Sequence, residues 1–265
     1  MAENKADITA EAEACAPERD LGSYEAALAE RREEILARIA AAAARSGRPA
    51  DAVRLTAVSK TVGVDEVIAA IHVGYRVFGE NRPQELSAKL EGLSAHPELP
   101  RVRFDMIGNL QKNKINAVLG RAALIHSIGS EHLAEAVSSR AERRIDAGEL
   151  AAPQPVLLEV NVSGEESKSG FAPDELRRAL DRVAALPGIS IRGLMTMAPR
   201  GDGDVARRTF AGLRELRDEL AAARPDLDLA ELSCGMSEDF EAAVEEGSTT
   251  VRLGRVVFNP AFGLE

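Results

Sequence analysis

The chain has 265 residues, of which 45% are hydrophobic and 29% charged, a balance that is ordinary for a globular protein with one large core. Its formal net charge of -10 at pH 7 argues against nucleic acid or an anionic membrane surface as its main partner. No apolar run approaches the length of a membrane span, and the N-terminus lacks the apolar core of a secretory signal. The two cysteines and four histidines have no metal-ligand spacing. These features predict a cytoplasmic protein with no bound metal.

The chain begins with a segment of low information content. Residues 1–20 are rich in Ala and Glu, and we expect them to be a disordered extension before a single domain of residues 21–265. An amphipathic helix is predicted over residues 23–45, with Leu28 and Ile35 on its apolar stripe.

Short apolar stretches then alternate with helical patterns to the end of the chain. The predicted strands lie near residues 54–59, 75–79, 102–107, 122–127, 155–162, 189–196, 229–233 and 249–254. The predicted helices lie near residues 64–72, 83–91, 111–118, 131–147, 173–185, 204–222 and 237–246. This alternation is typical of an α/β fold, a single (β/α)8 TIM barrel whose eighth outer helix is the one over residues 23–45. A doubly wound sheet is the alternative, but no Gly-rich phosphate fingerprint follows the first strand.

The most informative residue is Lys60, which ends the first predicted strand. Active sites of such barrels lie at the C-terminal ends of the strands, and alternation puts Lys60 on the inner face with Thr56 and Val58. At the end of an apolar strand the Lys60 stem is expected to lie among apolar neighbours, where desolvation favours a neutral amine, and a neutral amine attacks aldehydes. The alternative is an ordinary strand-end lysine that reaches solvent, and one lysine alone does not decide between the two.

A second candidate is Arg252 on the eighth predicted strand. Alternation places Arg252 on the inner face of the barrel with Thr250 and Gly254. A buried arginine requires a partner, because an isolated buried charge is very costly. The structural alternative to a ligand is an ion pair with Glu159 or Glu231 on neighbouring strands.

The loops after the seventh and eighth strands form a third candidate feature. Ser233-Cys234-Gly235-Met236-Ser237 is predicted to open a helix, where backbone N–H groups and the Ser237 hydroxyl can hold an anion. Gly254 and Arg255 follow the eighth strand, and barrels often bind phosphate between these two loops. The alternative is that Ser237 is a helix cap and Gly235 a turn residue. A lysine, an arginine and a phosphate loop together describe a pocket for pyridoxal 5′-phosphate (PLP).

At these residues the chain resembles the YggS/PROSC family of pyridoxal-phosphate homeostasis proteins. The matching motifs, between about residues 50 and 258, are LTAVSKT (55–61), FGEN (78–81), IGNLQKNK (107–114), EVNVSGEESKSGF (159–171), RGLMTM (192–197) and SCGMSEDFEAAVEEGSTTVRLG (233–254). The resemblance implies a barrel like the N-terminal domain of alanine racemase, with Lys60 bound to PLP as an aldimine, Arg252 at the ring nitrogen and Asn81 near the ring. With the two loops, the expected cofactor-binding residues are Lys60, Asn81, Ser233, Gly235, Met236, Ser237, Arg252, Gly254 and Arg255.

The chain departs from the family pattern at several positions. Arg255 stands where threonine is usual, and Arg82 where a tyrosine usually follows Gly-Glu-Asn. Asp105 replaces a common histidine, and Cys234 replaces a methionine. None of these changes removes the lysine, the arginine or the serines of the expected site.

Two functions are consistent with this resemblance. The first is a carrier that binds and buffers PLP in intracellular PLP homeostasis without catalytic turnover, as a monomer in transient contact with PLP-dependent apo-enzymes. The second is a PLP-dependent amino-acid racemase or related enzyme. Racemisation requires a base on each face of the Cα carbon, and in alanine racemase a tyrosine beside a partner's C-terminal domain provides one of them. The tyrosines of this chain, Tyr24 and Tyr75, are predicted far from the strand ends, which favours the carrier.

Overall fold

The computed structural model describes residues 21–165, 168–259 and 261–263. Residues 1–20, predicted to be a disordered extension, lie outside the described residues. Eight parallel strands close into a barrel in chain order, which confirms the predicted fold class. The strands are β1 (Arg54–Val58), β2 (Val77–Glu80), β3 (Arg103–Met106), β4 (Ile125–Ile128), β5 (Gln154–Glu159), β6 (Ile189–Met195), β7 (Glu231–Ser233) and β8 (Thr250–Leu253).

Helices surround the barrel on the outside. They are α1 (Leu21–Arg45), α2 (Val64–His72), α3 (Pro83–Ser94), α4 (Ile115–Val118), α5 (Glu131–Asp146), α6 (Pro173–Ala184), α7 (Gly203–Ala223), α8 (Phe240–Glu245) and α9 (Arg255–Phe258). Single 3-10 turns precede β1 and α4. No helix among the described residues is long and apolar enough to cross a membrane.

The first helix takes the place of the eighth outer helix, as predicted. It packs against both α2 and α8, and so closes the helical ring between the first and last βα units. Arg38 Nε lies 2.5 Å from Glu241 Oε1 of α8, and His72 Nδ1 of α2 lies 2.7 Å from Glu25 Oε1. Its apolar stripe is fully covered, since Ile35 is 0% exposed.

Most residues of the barrel strands are buried, and they include polar side chains such as Asp105, His126 and Arg252 beside the apolar ones. In the register of β1 and β8, Thr56 lies opposite Arg252, so the inner faces of these strands are in phase. Gly79 of β2 faces the same layer. A Cβ atom on Gly79 would lie 3.0 Å from Thr56 Cγ2 and 3.0 Å from Ile107 Cδ1, so a larger residue would crowd the interior.

Two predicted boundaries differ from the structure in ways that affect the site. The helix predicted from residue 237 begins at Phe240, because residues 236–239 form a turn in which Asp239 Oδ1 accepts a hydrogen bond from Met236 N at 2.6 Å. The helix predicted over residues 111–118 is a 3-10 turn followed by a single turn of α-helix. Both errors extend a helical pattern through a turn that local hydrogen bonds impose.

Candidate functional site

A cavity of about 1550 Å³ opens at the C-terminal ends of the barrel strands. Its walls come from the loops after β1, β2, β3, β5, β6, β7 and β8, so residues far apart in sequence meet there. Of the residues predicted to bind a cofactor, those that line the cavity are Lys60, Asn81, Met236, Ser237, Arg252, Gly254 and Arg255.

Lys60 lies two residues after β1 and lines the cavity. The strand ends at Val58 because the chain turns there, with Val62 N donating to Ser59 O at 3.2 Å. This turn carries Lys60 out of the sheet, and its side chain is exposed to the cavity. The expectation that the lysine stem is buried among apolar neighbours is therefore wrong, while its position at the strand end is as predicted.

A buried ion pair holds the backbone that precedes Lys60. Glu80 Oε1 lies 2.5 Å from Lys89 Nζ and 2.6 Å from Ser59 Oγ, and Lys89 Nζ also donates to Ser59 O at 2.6 Å. Ser59 is the residue before Lys60, and Glu80 is the residue before Asn81. The cluster of Ser59, Glu80 and Lys89 therefore fixes the points at which both cavity residues leave the sheet.

Arg252 is only 5% exposed, yet its guanidinium reaches the cavity wall. Its Nη1 lies 2.5 Å from Ser233 Oγ, and its Nη2 donates to Thr196 O at 3.1 Å. Both acceptors are neutral. Burial lowers the pKa of Arg252 from its ordinary value, and the negative charges of Asp239 and Glu159 oppose this effect.

The predicted alternative, an ion pair of Arg252 with Glu159 or Glu231, is wrong. Glu231 instead pairs with Arg54 Nη1 at 3.0 Å. Glu159 accepts a hydrogen bond from Ser169 Oγ at 2.9 Å. In the part of the chain that the structure describes, no carboxylate lies within salt-bridge distance of Arg252, so its charge has no direct partner there.

Behind Arg252, polar side chains form a continuous hydrogen-bonded line across the inside of the barrel. Ser233 Oγ lies 2.9 Å from His126 Nδ1, and His126 Nε2 lies 3.3 Å from Asp105 Oδ2. Asp105 Oδ1 accepts from Arg103 Nε at 2.7 Å. We call Arg103, Asp105, His126, Ser233 and Arg252 the interior relay. It connects β3, β4, β7 and β8.

The charge states along the interior relay follow from burial and neighbours. Burial lowers the pKa of His126, although the hydrogen bond to Asp105 opposes this, so the imidazole is neutral at pH 7. Burial raises the pKa of Asp105, but the hydrogen bonds and charges of His126 and Arg103 outweigh it and hold that pKa below its ordinary value. Asp105 is therefore a carboxylate.

At the ends of the strands that carry Ser233 and Arg252, the loops after β7 and β8 are tied together. Ser237 Oγ accepts a hydrogen bond from Val256 N at 3.5 Å. The expectation that the backbone N–H groups of residues 233–237 can hold an anion is wrong at Met236, because Met236 N donates to Asp239 Oδ1. Burial raises the pKa of Asp239. Ser237 is not a helix cap, since Asp239 is the residue that precedes α8.

Arg255, which stands where the family has threonine, points to the rim. Its Nη2 lies 2.5 Å from Glu238 Oε1, and its guanidinium carbon lies 4.9 Å above the ring of Phe262. The side chain is thus held between two neighbours, and Arg255, at the start of α9, lines the cavity together with Gly254.

Two of the predicted cofactor-binding residues support the cavity from behind. Among the described residues, neither Ser233 nor Gly235 belongs to the cavity lining. Ser233 is fully buried against Arg252. Gly235 has a φ of +95°, and a Cβ atom there would lie 2.7 Å from Ala243 Cβ of α8. Ser233 therefore supports the cavity through its contact with Arg252, and Gly235 through its close packing against α8.

The roles of Asp105, His126 and Thr196 do not follow from the sequence pattern. His126 has no metal-ligand spacing that would set it apart from the other histidines. A usable signal exists, because Arg103 and Asp105 alternate with Phe104 and Met106 on one strand, and charged residues on a buried strand need partners. Arg103 and Asp105 pair with each other on β3, but the next partner, His126, lies on β4.

Neither tyrosine reaches the cavity. Tyr24 OH donates to Phe258 O at 3.4 Å on the outside of the barrel, and Tyr75 is buried before β2. Neither residue is part of the cavity lining among the described residues. This agrees with the prediction that both lie far from the strand ends.

Comparisons with known proteins agree with this geometry. A family model described as the N-terminal domain of alanine racemase matches residues 31–260. The chain is 39% identical over 230 residues to the pyridoxal phosphate homeostasis protein of Aquifex aeolicus, covering 86% of this chain and 96% of that protein. It is 37% identical over 230 residues to the human protein of the same name, covering 83% of this chain and 82% of that protein.

A solved structure gives the same assignment. PipY of Synechococcus elongatus, determined with PLP bound, matches with a TM-score of 0.74 and 35% identity, covering 88% of this chain and 100% of that one. Sequence and fold agree over most of each chain in these comparisons. The chain therefore belongs to the pyridoxal phosphate homeostasis protein family, which is built on the barrel of the alanine racemase N-terminal domain.

Proposed function

We propose that this protein binds PLP in the cavity at the strand ends and serves as a carrier and buffer of PLP in intracellular PLP homeostasis. The relatives that carry the name pyridoxal phosphate homeostasis protein, and the PLP-bound structure of PipY, support this function. The residues of the cavity support it independently.

The cavity offers a complementary group for each functional part of PLP. Lys60 presents an amine to the aldehyde, and Arg252 presents N–H donors to the ring nitrogen. Ser237 and the backbone at Gly254 and Arg255 lie where the phosphate would be held.

The main support for the proposal is the environment of Arg252. It is a buried cation that lines the cavity, and both of its hydrogen bonds go to neutral protein oxygens. A guanidinium has five N–H donors, so further donors remain for a ligand acceptor. A ring nitrogen with a free lone pair fits this requirement, because it can accept a hydrogen bond from a guanidinium that has no carboxylate within salt-bridge distance among the described residues.

Bound PLP supplies an aldehyde that can be held by, and released from, a lysine amine with exchange of one water. The residues of this chain bind and orient it. Lys60 would hold the aldehyde covalently through Nζ, while Ser59, Glu80 and Lys89 keep the Lys60 backbone in place. Arg252 would donate to the ring nitrogen, and Asn81, the residue after β2, would contact the ring. Ser233 and Gly235 hold Arg252 and the phosphate loop from behind.

The proposal includes the expected partners. A carrier of this kind contacts PLP-dependent apo-enzymes transiently, acts in the cytoplasm and works as a monomer. The acidic net charge of -10 is consistent with a partner other than nucleic acid.

Transfer of the cofactor tests the function directly. The PLP-loaded protein is mixed with an apo-aminotransferase in the presence of a phosphatase that destroys free PLP. Recovery of aminotransferase activity under these conditions, and its loss when Lys60→Ala replaces the wild type, is the expected result. Equal recovery with free PLP alone would contradict the carrier function.

A further inference from the structure

The interior relay has a feature that the cofactor site alone does not require. It continues past Arg252 and Ser233 to His126 and Asp105, which lie on the other side of the barrel interior and do not line the cavity among the described residues. His126 and Asp105 are fully buried. Each polar group in a buried network has to find a partner of the right kind, so the direction of each hydrogen bond can be worked out.

Asp105 determines which group donates and which accepts in each hydrogen bond of the interior relay. A carboxylate only accepts hydrogen bonds, and Arg103 Nε–H occupies Oδ1. The other oxygen then accepts from His126, which must carry its proton on Nε2. In a neutral imidazole this leaves a lone pair on Nδ1.

The assignment of donors and acceptors can be continued from His126 to Arg252. The lone pair on His126 Nδ1 accepts the Ser233 hydroxyl proton, and the Ser233 oxygen is then free to accept from Arg252 Nη1. Thr196 O holds Nη2. The guanidinium is therefore held at two points, and Arg252, which lines the cavity, keeps N–H donors that these two bonds do not use.

We propose that Asp105 and His126 are positioning residues for Arg252, acting through the Ser233 hydroxyl so that Arg252 presents N–H donors to a heteroaromatic nitrogen acceptor in the cavity. The identity of that acceptor as the PLP ring nitrogen rests on the proposed function. The positioning itself does not, because every hydrogen bond of the interior relay lies within the protein. Asp105 is also a residue at which this chain departs from its family pattern.

The substitution Asp105→Asn changes the hydrogen-bond direction with almost no change in shape. Arg103 requires an acceptor, so the asparagine oxygen turns to Arg103 and its NH2 group turns to His126. His126 Nε2 must then accept, and the imidazole proton moves to Nδ1. The Ser233 oxygen now receives donors from both His126 and Arg252, and its own proton loses its acceptor.

The ligand-free protein provides the first test. The tautomer of His126 is read from imidazole 15N chemical shifts and their couplings to ring protons. We expect the Nε2–H tautomer in the wild type and the Nδ1–H tautomer in Asp105→Asn. Thr250→Val, which removes a buried hydroxyl on the inner face of β8 outside the interior relay, should keep the wild-type tautomer. A charged or Nδ1–H imidazole in the wild type at pH 7.5, or an unchanged tautomer in Asp105→Asn, would overturn the proposal.

A double-mutant cycle on PLP affinity provides the second test. Asp105→Asn and Ser233→Ala should each weaken PLP binding by roughly three- to tenfold, the range of one net hydrogen bond. If Asp105 acts only through Ser233, then Asp105→Asn should add nothing in the Ser233→Ala background. If both variants fold and their losses of PLP affinity multiply in the double variant, the proposal would be contradicted. If Asp105→Asn does not fold, His126→Gln replaces it in the cycle, with the same expectation.

The two tests separate this proposal from the proposed function. A wild type that shows the Nε2–H tautomer and its switch in Asp105→Asn, but binds no PLP, would reject the carrier and keep the positioning role. If the wild type binds PLP normally, but the His126 tautomer is unchanged in Asp105→Asn and the losses of PLP affinity in the two single variants multiply, the positioning role would be rejected and the carrier kept.

Discussion

The Ser237 hydroxyl lies 3.5 Å from the backbone nitrogen of Val256, so one side chain joins the loop after β7 to the first turn of α9. The helix that follows Ser237 begins only at Phe240 and has six residues, so it contributes little dipole to an anion. In the proposed phosphate site, binding would therefore depend on the Ser237 hydroxyl and on the backbone at the start of α9.

Replacement of Ser237 tests that dependence. Ser237→Ala should weaken PLP binding by roughly 1–3 kcal/mol, because it removes a donor to a charged acceptor. Titrations with PLP and with pyridoxal, followed by absorbance, measure the affinity of each protein for the two aldehydes. Pyridoxal, which has no phosphate, should bind wild type and variant equally and weakly. Equal affinity of the wild type for PLP and pyridoxal would reject a phosphate site.

The buried pair of Lys89 and Glu80 should be important for stability. Lys89→Met leaves the Glu80 carboxylate buried without its cation, which should lower the free energy of unfolding by about 3–5 kcal/mol. The double variant Glu80→Gln/Lys89→Met removes both charges and should recover at least half of that loss. Urea unfolding followed by circular dichroism measures both, and a loss below about 1 kcal/mol for Lys89→Met would show that the pair is unimportant.

The interior relay predicts a loss of stability in acid. The pKa of His126 is lowered in the folded protein, chiefly by burial, so the unfolded chain takes up this proton first. The free energy of unfolding should therefore fall as the pH drops below about 6.5, by at most ~1.4 kcal/mol per pH unit for one proton. The pKa of Asp105 is also lowered. Its stabilising contribution is complete above about pH 4 and is lost as the pH falls through its folded pKa.

Unfolding by urea between pH 8 and pH 5 checks the histidine contribution. His126→Gln should have a shallower dependence below pH 6.5 than the wild type. The exposed His132→Gln serves as the matched control and should keep the wild-type slope. If the free energy of unfolding of His126→Gln depends on pH as steeply as that of the wild type, this imidazole does not resist protonation in the folded state.

The sequence was sufficient to predict the elements whose pattern is local. The helix over residues 64–72 was predicted with the bounds that the structure has, because its stripe and its flanking turns agree. Lys60 and Arg252 were found because strand alternation and the barrel rule act at single positions. The helix start at Phe240 was missed because the Asp239–Met236 hydrogen bond competes with helix formation.

The interior relay could not be read from the sequence in the same way. Its members come from four strands, and each residue alone is compatible with an unrelated structural role. His126 and Asp105 are 21 residues apart and meet only when the barrel closes. The burial of a charged or polar residue on a strand predicts that a partner exists, but only the fold identifies it.

Chemical inactivity toward amino acids is a further expectation. A guanidinium at the ring nitrogen donates a hydrogen bond and leaves that nitrogen unprotonated, which weakens PLP as an electron sink. No tyrosine among the described residues lines the cavity to act as a second base. Incubation of the PLP-loaded protein with L- and D-amino acids in deuterated water should give Cα exchange far below about 1 per second. Exchange at that rate or faster would favour a racemase.

The bond between Lys60 and PLP tests the account most directly. The PLP-loaded protein is reduced with borohydride, digested and mapped by mass spectrometry, with Lys60→Ala as the control. The account predicts the pyridoxyl group on Lys60 in the wild type, and no stoichiometric label at any site in Lys60→Ala. A label found mainly on another lysine, such as Lys168 or Lys112, would contradict it.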